Sequence, residues 1–159
     1  MDSLSSEGMR TPRPRLFRAL GENEPPSALV IAGRPYRRAA HLKHDSWAAT
    51  ALYEAENGER VACKFNRVEP FALRLPAVWI GRFLAAREGR VLRLMHGIAG
   101  FPKWVGPVVV EGREFPNAVA HEWIEGCPFN PSVCVGDEFF PRLRDMVTAL
   151  HSTASPTSI

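Results

Sequence analysis

The sequence predicts an α+β fold: an antiparallel sheet of about five strands, one long helix inserted between two hairpins, and a last helix near the C-terminus. Three observations predict it. Short apolar runs alternate around a strong hairpin signal, Asn57–Gly58. Apolar residues recur at helical spacing between about residues 76 and 96. The elements then follow in the order strand, hairpin, helix, hairpin, helix.

Residues 1–27 are rich in Ser, Pro and Arg, hold no sustained period, and read as a disordered basic tail. Their Arg10, Arg13, Arg15 and Arg18 form a cluster that reads first as solvated and second as a contact for an acidic partner or RNA. "ALVIAG", residues 28–33, is a short strand ended by Gly33, and "RPYRRAAHLKHD" follows with no element assigned. The first hairpin has strands at roughly 46–55 and 59–66, with Asn57 and Gly58 both suited to positive φ. Pro76 suits the first turn of the long helix, and Ile80, Leu84, Val91 and Met95 form its apolar stripe. Gly97 and Gly100 stop it. "KWVGPVVV", residues 103–110, and "NAVAHEWI", residues 117–124, read as a second hairpin across Gly112. "CPFNPSV" is a loop. The last helix starts near Asp137 and carries Phe139, Leu143, Met146, Val147 and Leu150 on one face; residues 153–159 read as a disordered tail.

The 159 residues are 45% hydrophobic and 23% charged, ordinary for a globular domain with a core. Net charge is +3, but residues 1–43 carry +4 and residues 44–159 carry −1. A near-neutral compact part argues against a nucleic-acid partner. No apolar run is long enough to span a bilayer, and no apolar segment follows the charged N-terminus as a secretory signal would require. Cys63, Cys127 and Cys134 form an odd set without a CxxC pair, which points to a reducing, cytoplasmic setting. His41, His44 and Asp45 lie close in sequence, but on a strand the two histidines would face opposite sides, so a shared metal is not expected.

Lys64 carries the main functional question. Val61, Cys63 and Phe65 alternate on one face of a short apolar strand, and Ala62 and Lys64 occupy the other. Lys64 is either solvated on a wet face or turned into a cleft to grip an anion. A cleft lysine needs a carboxylate to fix it. Glu88 falls beside Leu84, Val91 and Met95 at about 100° per residue, and a carboxylate there is costly to bury unless paired. Arg87 shares the same broad stripe, so it is charge that selects Glu88.

Val61-Ala62-Cys63-Lys64 resembles the VAxK strand of the protein-kinase-like superfamily. Glu88, in "AREGRVLRLM", resembles the helical glutamate that pairs with that lysine. "GIAGFPKWVG" resembles the link into the fourth strand, "AVAHEWIEGCPF" the fifth strand and hinge, and "FPRLRDMVTALHS" the helix before the catalytic loop. The resemblance runs over residues 28–152 and is nearest to compact bacterial kinases, protein-type or lipopolysaccharide-type. It implies a kinase-like N-terminal lobe over 28–126, then a hinge-following loop and the first helix of a second lobe over 127–152. It also implies an ATP site. Lys64 would hold the α/β phosphates and Glu88 would orient it. Ala62 would pack on the adenine, the main chain of Glu122 and Ile124 would bond its edge, and His121 would be the gatekeeper.

Two departures follow from the same comparison. No glycine lies between Gly33 and Gly58, so the phosphate-binding loop, in "LKHDSWAATAL", lacks its glycines; Ser46 and Thr50 are the remaining donors. After "ALHS" no catalytic-loop aspartate, metal asparagine or DFG aspartate follows. The expectation is a truncated kinase relative, a pseudokinase that binds ATP weakly, holds no Mg²⁺ and transfers no phosphoryl group alone. The alternative is a non-catalytic interaction module on the same scaffold, with a protein partner at the exposed face of the 137–151 helix.

Overall fold

The computed structural model describes residues 14–70, 78–126 and 135–154. Among the described residues, eight strands form one antiparallel sheet: β1 Ala28–Ile31, β2 Arg34–His44, β3 Ala48–Glu54, β4 Arg60–Asn66, β5 Trp104–Gly106, β6 Val108–Val110, β7 Arg113–Glu114 and β8 Ala118–Glu122. Among the described residues, two α-helices, α1 Val78–Leu94 and α2 Phe139–Ala154, complete the α+β fold. The sheet order is β5-β8-β4-β3-β2-β1-β6-β7. Only Pro107 separates β5 at one end from β6 near the other, so the sheet curls back on itself.

The count exceeds the expected five because three pairings were not legible. β2 is an eleven-residue strand where no element was assigned; its mixed polar pattern follows from exposure along most of its length and from register shifts at Arg38/Ala40 and His41/Lys43. The expected second hairpin divides. Trp104–Gly106 pairs with β8, whereas Val108–Val110 leaves for β1, and the Gly112 turn joins β6 to the short β7. Pro107 offers no N–H for a continuous ladder at this switch. The turn at Asn57 and Gly58 forms as expected, but only Gly58 has positive φ (81°), while Asn57 Oδ1 accepts the Glu59 amide.

The curled sheet encloses the main core, formed by Leu29, Ile31, Tyr36, Tyr53, Val61, Cys63, Phe65 and Val108. Residues 14–27, expected to be disordered, pack instead. Ala19, Leu20 and Pro25 are buried, Ala19 bonds Asp45 through its amide and Val68 and Glu69 through its carbonyl, and Arg15 and Arg18 pair with Glu69 and Glu24. Arg10 and Arg13 lie outside the described residues, as do Pro76, Cys127, Cys134 and residues 155–159, whereas residues 153 and 154, expected in the disordered tail, continue α2 to Ala154.

Helix α1 lies on the outer face, against β4, β5 and β8. Its buried seam is Gly81, Ala85, Gly89 and Leu92, one step round from the expected stripe; Ile80, Leu84 and Met95 are half-buried and Val91 is exposed. Small side chains win the seam because they let the helix approach the sheet closely. A Cβ on Gly81 would run into the Arg67 carbonyl oxygen and stand 2.5 Å from Asn117 Nδ2. Helix α2 leaves Phe140, Leu143 and Val147 exposed and Phe139, Met146 and Leu150 half-buried. Among the described residues, no helix is long and apolar enough to cross a membrane.

Candidate functional site

Strand β4 is interior to the sheet, between β3 and β8, so Lys64 sits on no edge. It stands opposite Thr50 on one side and Val119 on the other. Val61, Cys63 and Phe65 point into the curled core, which turns Ala62 and Lys64 outward under α1. There Lys64 Nζ donates to Glu88 Oε2 at 2.7 Å, with side chains 35% and 31% exposed. Glu88 borders the small-residue seam, between Ala85 and Gly89, so the close approach of the helix carries its carboxylate to the lysine. At this exposure the ion pair contributes about 1 kcal/mol or less to stability. Its chemical consequence is position: the ammonium is held at one point on a cleft wall.

Asparagines fix the start of α1. Asn117 Nδ2 donates to the Val78 and Arg67 carbonyls at 2.9 and 3.2 Å, and the Asn117 carbonyl accepts the Asn66 amide and Nδ2 at 2.8 and 3.2 Å. The adjoining cleft has a volume of about 370 Å³. Trp47, Ala48, Lys64 and Asn66 line it from the sheet, and Leu84, Arg87, Glu88 and Val91 from the helix.

The β2–β3 turn, residues 45–47, stands where the glycine-rich loop was expected. Asp45 Oδ1 accepts the Trp47 and Ala48 amides at 2.8 and 3.0 Å, and Oδ2 pairs with Lys43 at 2.6 Å. Burial of the Asp45 carboxyl works to raise its pKa, but the Lys43 hydrogen bond and the two amides outweigh it and hold it down to about 2. Ser46, expected as a phosphate donor, gives its hydroxyl to the Phe17 carbonyl at 3.4 Å. Buried Arg67 binds the turn from behind, donating to Ser46 O and Glu69 O at 2.7 Å each, Pro70 O at 2.9 Å and Leu16 O at 3.1 Å.

The other expected site residues lie along the same sheet face and its end. Ala62 is buried and opposite His121 on β8. His121 is half-buried and donates Nδ1–H to the Glu122 carbonyl at 2.9 Å. The Glu122 amide is taken by the Lys103 carbonyl at 2.8 Å, and its carboxylate lies 3.9 Å from Lys103 Nζ. Ile124 is half exposed, and its main chain has no hydrogen-bond partner among the described residues. His41 and His44 do not face apart, contrary to expectation. The register shift beyond His41 brings their Nδ1 atoms to 3.5 and 3.6 Å from Glu24 Oε2. No group of three or more His, Cys, Asp or Glu residues among the described residues is placed to hold a metal ion.

Sequence reasoning missed Asp45, Arg67 and Asn117 as the groups that shape the cleft. Each acts through backbone amides or carbonyls distant in sequence, which no local pattern marks. Comparison of the chain with protein-family models, with curated proteins and with solved structures found no match.

Proposed function

We propose that this chain is a kinase-like, nucleotide-holding lobe, with Lys64 as the phosphate-gripping lysine and Glu88 as its orienting carboxylate. The observation that carries the reading is the 2.7 Å Lys64–Glu88 pair between an interior strand and the helix beside it. Ala62 shares the lysine's face, as an adenine-packing residue would, and the open main chain at Ile124 suits a contact to the adenine edge. The helix, strand and hinge segments follow in the order that the resemblance requires. The motifs fit compact bacterial kinases, protein-type or lipopolysaccharide-type, and the odd cysteine set without a CxxC pair fits a cytoplasmic protein.

The reading assigns ATP binding without transfer. Phosphoryl transfer is positioning plus charge neutralisation, with metal and an aspartate base beside the lysine. The late aspartates are elsewhere: Asp137 precedes α2, and Asp145 lies on it, facing a separate groove with Met146 and Gly100. The test is calorimetric titration of the chain with ATP, with and without Mg²⁺, beside Lys64→Ala, plus an ATP-turnover assay. Weak binding is expected, reduced by about 1.5–3 kcal/mol in the variant, with no turnover. Binding that ignores Lys64→Ala refutes the site assignment.

A second reading is an interaction module on the same scaffold. The exposed Phe140, Leu143 and Val147 of α2 favour it, since they offer an apolar face to a protein partner. A partner captured through that face, with no effect of nucleotide, would select it.

A further inference from the structure

We propose that Arg87 is the second cation of the Lys64 cleft, gripping the anionic end of the ligand from the α1 wall in place of the β2–β3 turn. The inference rests on the nucleotide reading above.

A di- or triphosphate tail needs donors on the wall it meets. Most of the turn's donors are already engaged, and among its amides only that of Ser46 has no partner among the described residues. The Trp47 and Ala48 amides serve the Asp45 carboxylate, and the Ser46 hydroxyl serves Phe17. Asp45 is an anion built into the loop, occupying the donors that an incoming phosphate would use and repelling it as well. The Trp47 and Ala48 amides, which a glycine-rich turn would offer to phosphate, are committed to the turn's own carboxylate.

The opposite wall differs. Arg87 precedes Glu88 on α1, lines the cleft and is exposed, with no ion-pair or hydrogen-bond partner among the described residues. Lys64 and Glu88 neutralise each other, so the net positive charge of the cleft lining is that of Arg87. A guanidinium fork suits a phosphate bidentately, whereas Lys64 gives a point charge. Arg87 would bind the terminal phosphate while Lys64, fixed by Glu88, takes an inner one. The ligand class this selects is a compound whose affinity grows with its number of phosphates.

The experiment is titration of the full chain with ATP, ADP and adenosine, for the wild type, Lys64→Ala, Arg87→Ala, Arg87→Lys and Ser46→Ala, with circular dichroism to confirm folding. ATP affinity should fall about tenfold or more in Arg87→Ala, ADP affinity less, and adenosine affinity not at all. Arg87→Lys should lie between, and Ser46→Ala should match the wild type. If Arg87→Ala binds ATP like the wild type while Lys64→Ala does not, the Arg87 role is wrong and the nucleotide reading stands. If Ser46→Ala loses ATP, the turn grips phosphate and the proposal fails. If the wild type binds no nucleotide, the nucleotide reading fails and this inference with it.

Discussion

Gly81→Ala separates close packing from helix propensity, because the two predict opposite signs. Alanine is the better helix former by about 1 kcal/mol, so propensity alone predicts stabilisation. The structure predicts the reverse. The new methyl would collide with the Arg67 carbonyl oxygen and stand 2.5 Å from Asn117 Nδ2. One neighbour is backbone, and the other is an amide already engaged with the Val78 and Arg67 carbonyls, so neither yields cheaply. Overpacking of this kind costs about 1–3 kcal/mol, and loss of the Asn117 bond to Val78 adds about 1 kcal/mol. Subtracting the propensity gain leaves a net loss of about 2 kcal/mol. For a domain of this size that is a fall in Tm of roughly 4–8 °C. Gly89→Ala, two turns on, is the internal control. Its methyl would meet Trp104 Nε1 at 3.6 Å and Val119 Cγ2 at 3.8 Å, ordinary contacts, so this variant should gain up to about 1 kcal/mol. Urea and thermal unfolding of both variants give the answer. A stable Gly81→Ala, or two variants shifting in the same direction, would refute the claim that the helix is seated by its small residues.

Three further outcomes follow from the cleft and its supports. Asp45 has a folded pKa held down to about 2, so its contribution to stability is complete above its ordinary carboxyl pKa and is lost as pH falls from about 4 to about 2. That contribution is about 2 kcal/mol, and Asp45→Asn should show a correspondingly flatter stability profile in urea titrations across that range. Arg67→Ala orphans four carbonyl contacts to a buried guanidinium and should cost about 3 kcal/mol or more by chemical denaturation, with Arg67→Lys failing to restore it because an ammonium has no fork. Burial pushes the Cys63 thiol pKa far up, so peptide mapping after alkylation should find Cys63 unmodified in the native protein at pH 8 and modified once urea unfolds it.

The elements that sequence made legible are those whose pattern is local. The β3–β4 hairpin is fixed by alternation and by Gly58, and α1 by its period, so both arise where expected. The Lys64–Glu88 pair was legible for a subtler reason. Periodicity weights large apolar side chains and therefore chose the Ile80–Leu84–Met95 face, whereas the close packing of the helix is made by Gly81, Ala85 and Gly89. Glu88 borders both stripes, so a one-step error in the helix face left it on the correct side. The pairing of β6 with β1 had no such protection. It depends on a strand 77 residues earlier and on Pro107 breaking the run, and a three-valine strand pairs equally well with any apolar edge. The leading segment was misread because its composition is that of a solvated chain. Its order comes from Leu20 entering the core and from the Arg67 guanidinium, which binds the Leu16 carbonyl 51 residues earlier.

Those long-range polar contacts also bear on how the cleft would act. Arg67 ties the β2–β3 turn, through Ser46 O, to the Glu69 and Pro70 carbonyls just after β4. Asn117 ties the Arg67 carbonyl to Val78, the first residue of α1, and through Asn66 it ties both to the end of β4. One wall of the cleft is thus connected to the other by two adjacent residues, each satisfied by main-chain partners that do not depend on a ligand. A bond network of this kind fixes geometry more than it adds stability, since each neutral bond contributes only about 1 kcal/mol net. The Lys64–Glu88 distance is therefore a property of the fold, and a ligand of the proposed kind would meet a lysine already placed. On the proposed reading, binding would spend little on ordering the lysine, and its strength would be set by the charge that the cleft can still offer, which is Arg87.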